Sequence, residues 1–207
     1  MIALTWSKGF CQFHHCSSSA SSKNSLTIHG LWPNGASPSR RKLLSPIPTL
    51  VNCPGDNLTT VVYSGQCDLE ALWPDLLTMS PVSYLKFWAD EYCKHGKCCV
   101  PPYTQRSYLQ QAINLVKSNH LDKLILFSNL LSKKTWKVGS ILHRIKMVSP
   151  HVVSPYLKCE RKPSQGSIYL KDVYFCLDRS GQQFKNCTDI YSNQYNVTCS
   201  VGDVYIK

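Results

Sequence analysis

The sequence predicts an α+β fold: a central antiparallel β-sheet with packed helices, held by disulfides. Three observations carry that expectation. Apolar and polar residues alternate near residue 26 and strand-like runs follow toward the C-terminus, the middle of the chain shows apolar steps of three and four, and eleven cysteines are spread along its length. In order, Leu26-Thr27-Ile28-His29 reads as a strand with Leu26 and Ile28 on one face and Thr27 and His29 on the other. Gly30 and then Pro33-Asn34-Gly35 are expected to end it in a turn. Residues 36–67 look irregular and carry Arg40-Arg41-Lys42, either a solvated loop or a phosphate contact. Ser80-Pro81 is a helix start, since serine caps and proline is tolerated in the first turn. From there Val82, Leu85, Ala89 and Tyr92 form a stripe expected to face the core, and Gly96 is a natural stop. Further helices are predicted at Gln105–Ser118, through Leu109, Ile113 and Val116, and at Val138–Val148, through Ile141, Leu142 and Ile145. Strands return at residues 167–177 and 203–206, with a turn at Asp178-Arg179-Ser180-Gly181.

At 207 residues the chain is expected to form one domain, 1–207, large enough to bury a real core. Its mean hydropathy is −0.20, and no apolar run reaches the roughly 18 residues that a membrane helix needs. The nearest, residues 121–131, is broken by Asp122, Lys123, Ser128 and Asn129, so no membrane partner is expected. Twenty-three Lys+Arg against 12 Asp+Glu give a net charge of +11, which suits a polyanionic partner or simply a soluble surface. The cysteines suit an oxidising compartment, and Asn57, Asn186 and Asn196 each open an Asn-x-Ser/Thr glycosylation acceptor. Secretion follows from both. The start Met1-Ile2-Ala3-Leu4-Thr5-Trp6 lacks a signal-peptide pattern and is read as a mature segment whose signal was removed or never included.

The stretch WADEYCKHGKCC, residues 88–99, carries the chemistry. On the predicted helix Glu91, Lys94 and His95 stand at i, i+3 and i+4, on one face directed away from the apolar stripe into solvent or a cleft. The plain alternative is an exposed helix with one Glu/Lys pair. A metal knuckle is a further alternative, but Cys93, His95, Cys98 and Cys99 lack the paired spacing of structural zinc, as does His14-His15-Cys16, and no metal is expected. His29 in the strand adds a second imidazole. Two histidines with an acid and a lysine are the minimum set for cutting RNA without a metal. The ribose 2′-hydroxyl is the nucleophile, and it needs a base to take its proton and an acid to protonate the departing 5′-oxygen. Such a site requires no cofactor.

LTIHGLWPNG, residues 26–35, resembles the first active-site segment of the ribonuclease T2 family, and FWADEYCKHGKCC, residues 87–99, resembles the second, whose usual form is close to FW-x-x-E-W-x-KHGTC. LWPDLL at residues 72–77 is similar to the family's bridging LWP segment. The resemblance implies His95 as base, His29 as acid, and Lys94 and Glu91 as stabilisers of the transition state, with Lys94 on the phosphate oxygens. It makes Trp32 the aromatic on which the 5′-side base stacks, an interaction of roughly 1–3 kcal/mol; a buried core tryptophan is the alternative. Thr5, Asp75, Leu77 and Phe87 map to the second base pocket. Two departures stand out: Asp90 occupies a position that is often histidine, and Lys97 replaces the usual threonine. The segment before Trp6 is also shorter than usual, as in a trimmed chain.

The resemblance further implies bridges Cys11–Cys16, Cys53–Cys98, Cys159–Cys199 and Cys176–Cys187, each typically worth about 2–4 kcal/mol. Cys67, Cys93 and Cys99 are left over, so at least one is expected to be free or bonded to another molecule, and oxidation of Cys93 would bear on the site. The function implied is a secreted, monomeric endoribonuclease acting on single-stranded RNA through a 2′,3′-cyclic phosphate. Within the family the basic balance, Cys98-Cys99 and residues 36–66 look most like the pistil S-RNases of self-incompatibility, whose partners would include pollen F-box proteins. An S-like defence or phosphate-scavenging ribonuclease, vacuolar in location, is the alternative. A non-catalytic storage or binding protein on the same fold is another, although such relatives typically lack a catalytic histidine and both are present here.

Overall fold

A computed structural model describes residues 1–32, 67–96, 103–121, 135–152, 154–163, 166–178, 180–187, 199 and 203–206. The strands are β1 (Ile2–Trp6), β2 (Leu26–Leu31), β3 (Thr135–Lys137), β4 (Tyr156–Arg161), β5 (Ile168–Leu177), β6 (Phe184–Lys185) and β7 (Asp203–Tyr205). They form a sheet in the order β2-β1-β5-β7-β3, with β4 and β6 also paired to the long central β5. Pairing is antiparallel throughout except where β5 meets β7 in parallel, at Tyr169 opposite Tyr205. The sheet is therefore mixed, because the chain's end returns alongside β5 in the same direction.

Strand β1 is buried at every residue, so it reads as a continuous apolar run and not as an alternation. It lies between β2, with Thr5 opposite Thr27, and β5, with Thr5 opposite Asp172. That register puts Thr27, Thr5 and Asp172 side by side on one face of the sheet. Trp6, 1% exposed, donates its indole N–H to the Ile206 carbonyl at 2.9 Å and ties the first strand to the chain's end.

Helices cover the sheet at Cys67–Leu72, Pro81–His95, Gln105–Ser118 and Val138–Val148, with short turns of helix at Ser7–Phe10 and Ser18–Ser22. The last of these comes from the serine-rich stretch: Ser17 caps it by accepting from the Ala20 N–H at 3.2 Å. Gly9 lies so close to β5 that a Cβ there would fall 1.7 Å from the Leu170 carbonyl oxygen. The long helix starts as its sequence predicts. Ser80 and Ser83 cap each other reciprocally, and Pro81 opens the first turn.

Its buried face differs from the expected stripe. Val82 is 78% exposed, whereas Tyr84, Trp88 and Glu91 are buried and Leu85, Ala89 and Tyr92 are only half-buried beside them. The large rings decide the rotation. Trp88 fills the core beside Tyr84 and donates its indole N–H to the Trp73 carbonyl at 2.7 Å, a gain that the smaller Val82 and Ala89 do not match. Gln105–Ser118 buries Leu109, Ile113 and Val116, and Val138–Val148 buries Ile141 and Ile145, with Leu142 half-buried.

Cys11–Cys16, Cys159–Cys199 and Cys176–Cys187 are bridged. Cys93, expected among the leftovers, is also disulfide-bonded. The Cys53–Cys98 bridge, the Arg40-Arg41-Lys42 run, Cys99, Asn57 and Asn196 lie outside the described residues. Among the described residues no helix is long and apolar enough to cross a membrane.

Candidate active site

Three bonds anchor strand β2 and the residue that follows it. The His29 carbonyl accepts from the Trp73 indole at 3.0 Å, the Leu31 N–H donates to the Tyr108 hydroxyl at 3.2 Å, and the Trp32 N–H donates to the Met1 carbonyl at 2.8 Å. The strand thus runs through Gly30, expected at the turn, to Leu31. Gly30 has a packing reason. A Cβ there would sit 2.3 Å from Glu91 Oε2 and 2.4 Å from Trp32 Nε1, so only glycine lets helix and strand approach this closely.

Into that gap goes Glu91. The carboxyl group is 4% exposed, accepts from Trp32 Nε1 at 3.0 Å, and has His95 Nε2 at 3.7 Å. The exposed Glu/Lys pair considered from the sequence is thereby replaced by a buried acid in a cleft. Burial pushes Glu91 above the ordinary carboxylate value, while His29, the indole N–H and Lys94 oppose that rise. For His95 burial comes first, and the charges of His29 and Lys94 add to it; together they push the imidazole down to about 4. It is unprotonated across the neutral and mildly acidic range, as a proton acceptor must be. Lys94, next to last in the helix, keeps an exposed position.

Trp32 stands between the histidines. Its ring is 5.1 Å from that of His29, edge to face, and 5.1 Å from that of His95, with Tyr174 at 5.6 Å. It is half-buried, not a core residue. Phe87 reaches the same cluster, 6.3 Å from His29. The histidine rings are 31% and 28% exposed, so both meet solvent at one cleft. This grouping sets two imidazoles and an aromatic face together, with the charge of Lys94 acting on both Glu91 and His95.

Thr5 is 4% exposed and faces inward: its hydroxyl is 3.2 Å from His29 Nδ1 and donates to Asp172 Oδ1 at 2.7 Å. It belongs to the surroundings of His29, because its place on the central β1 turns it into the sheet. Asp75 sits in the turn ahead of the long helix, accepting from the Leu77 N–H and the Thr78 hydroxyl, both at 2.9 Å, and Leu77 is 47% exposed.

Sequence reasoning missed Asp172. It is 1% exposed on β5, 3.7 Å from His29 Nδ1. Burial opposes its ionisation, yet His29, the Thr5 hydroxyl and Lys158 outweigh that and hold the carboxyl below its usual range. The available signal was a charged residue at a central position of the apolar run IYLKDVYFCL. As for metals, Cys93 is bridged, Cys16 is bridged, and His14 stacks on Phe10 at 4.1 Å. Among the described residues no three His, Cys, Asp or Glu side chains are grouped to hold a metal.

Known proteins resemble this chain in both sequence and fold. The model of the Ribonuclease T2 family matches residues 1–187. Ribonuclease S-2 of Nicotiana alata is 29% identical over 196 residues, covering 90% of this chain and 79% of that protein. Ribonuclease 1 of Arabidopsis thaliana is 34% identical over 164 residues, 77% of this chain and 65% of that protein. The crystal structure of ribonuclease MC1 from bitter gourd seeds superposes with a TM-score of 0.66 at 26% identity, covering 90% of this chain and 92% of that one.

Two outcomes are expected. Gly30→Ala drives a methyl group into Glu91 and Trp32 and costs about 1–3 kcal/mol by denaturant unfolding, a loss that shrinks when Glu91 is also truncated to alanine. An equal cost in both backgrounds contradicts this packing. For His95, the unfolded chain takes up a proton below the ordinary value of 6.5, but the folded chain refuses it down to about 4. Its contribution to stability is therefore complete above 6.5 and falls away as the pH drops toward 4, by up to about 3 kcal/mol. Unfolding profiles of wild type and His95→Gln over that range are expected to diverge, the variant being flatter.

Proposed function

The chain belongs to the ribonuclease T2 family and is a metal-independent endoribonuclease of that type, and from this we propose that it cuts single-stranded RNA by transphosphorylation at the cleft around Trp32. In this reading His95 removes the 2′-hydroxyl proton, the oxygen attacks phosphorus, and His29 protonates the departing 5′-oxygen to leave a 2′,3′-cyclic phosphate. Lys94 neutralises the phosphorane oxygens from the cleft rim, and Glu91 holds His95 and Trp32 in register while its own charge is moderated by burial. The exposed part of Trp32 stacks the 5′-side base, and Phe87, with Asp75 and Leu77 nearby in sequence, contributes to the second base site. The observation that carries the reading is the placement of two imidazoles at 5.1 Å from one indole, with a buried carboxyl beneath it.

Among ribonucleases of this family, we assign the chain to the pistil S-RNases acting in gametophytic self-incompatibility. The net charge of +11 and the likeness to Ribonuclease S-2 support this. It implies secretion, N-glycans at Asn57, Asn186 and Asn196, a monomer, and recognition by pollen F-box proteins through residues 36–66. The three described bridges suit an oxidising compartment. The other reading is an S-like defence or phosphate-scavenging enzyme, and the likeness to Ribonuclease 1, a relative whose name carries no S designation, is compatible with it.

Two measurements check these readings. His29→Ala and His95→Ala are each expected to lower the rate on RNA by about 100- to 10,000-fold with the fold retained, and one 2′-deoxy nucleotide at the scissile position is expected to abolish cutting. Appreciable cleavage of that substrate refutes the mechanism. A transcript confined to styles supports the self-incompatibility role, and expression in starved roots or leaves supports the alternative.

A further inference from the structure

We propose that Asp172 is a positioning residue that, through Thr5, fixes the Nδ1 edge of His29 and leaves Nε2 to face the substrate. The inference deepens the reading of His29 as the acid and rests on it for its kinetic consequence. Counting protons gives the tautomer. Thr5 has a single hydroxyl proton, and it points to Asp172 Oδ1 at 2.7 Å, because a carboxylate only accepts. The same hydroxyl oxygen is 3.2 Å from His29 Nδ1, so it serves there as an acceptor and Nδ1 must carry a proton. Asp172 Oδ1 itself lies 3.7 Å from Nδ1 and favours the same arrangement. With Nδ1–H fixed, Nε2 is the nitrogen that gains and delivers the catalytic proton.

His29 and the Thr5 hydroxyl do most to keep the carboxylate ionised, with Lys158 adding to them, and the second oxygen has partners of its own. Asp172 Oδ2 has the Lys158 ammonium at 3.8 Å and accepts from the Tyr174 hydroxyl at 3.4 Å. Groups from β1, β2, β4 and β5 thus converge on one acid that is 1% exposed. An apolar residue would fill this site in the sheet at lower desolvation cost, so a buried charge here points to a role beyond packing. The two oxygens act separately, since Oδ1 orients Thr5 and the imidazole while Oδ2 takes the compensating charge.

The test combines spectroscopy and kinetics on the full chain. Long-range proton–nitrogen NMR of neutral His29 is expected to show the Nδ1–H tautomer in the wild type and its loss in Asp172→Asn and Thr5→Val. An Nε2–H tautomer in the wild type, or an unchanged tautomer in both variants, overturns the proposal. Kinetics use uridylyl-adenosine, whose leaving alkoxide needs a proton, and uridine 3′-(4-nitrophenyl phosphate), whose leaving phenolate does not. Both variants are expected to lose roughly 10- to 100-fold in kcat on the dinucleotide with little change in KM, and less than about threefold on the aryl ester. Thr5→Ser, which keeps the hydroxyl, is expected to restore most of what Thr5→Val loses. Equal losses on both substrates overturn the action of Asp172 through the acid. His29→Ala separates the two claims: if it too lowers both substrates equally, the assignment of His29 as acid fails, while the tautomer result still decides the positioning role. Should Asp172→Asn not fold, Thr5→Val carries the test.

Discussion

The burial of one carboxyl group, Glu91, between a glycine on a strand and an indole across the cleft is the constraint on which the site depends. It joins residues 59 positions apart, and it sets the rotation of the helix that carries it. Tyr84 and Trp88 hold that rotation from below, in the core, and Glu91 holds it from above, at the cleft. One further turn along the same face stands His95, whose ring is therefore set against Trp32 while part of it still meets solvent. The helix could not turn to bury Val82 without withdrawing both its aromatic anchors and the face that carries Glu91 and His95.

From the same packing follows an electrical asymmetry. Each imidazole borders Trp32, but their other neighbours differ. His95 is partly buried on the helix, and that burial, with positive charge from His29 and Lys94 added to it, drives its proton off. His29 has a hydroxyl and a buried carboxylate on its Nδ1 edge, supplied by β1 and β5. Acid–base pairs at one pH need unlike environments for like groups. Here the sheet builds one environment and the helix builds the other, and Trp32 separates them.

Much of this was legible in the sequence, and the gaps have physical causes. The three longer helices keep their predicted bounds because capping serine, proline and apolar spacing are local signals, and the expectation for His29, Glu91, Lys94 and His95 rests on two compact motifs. The buried face of the long helix was misjudged because spacing alone weighs Val82 like Trp88, whereas burial scales with area. Strand β1 gave no alternation since both of its faces are covered. The contact of Thr5 with Asp172 is not legible locally, because it arises from the register of β1 against β5, a long-range pairing that no local pattern encodes.

The mechanism stands or falls with attack by the substrate's own 2′-oxygen, and phosphorus NMR of the first product formed from a dinucleotide observes that step directly. The account predicts a cyclic 2′,3′-phosphodiester signal that rises first and decays slowly to a monoester. A monoester appearing from the outset, with no cyclic species at any time, would contradict it.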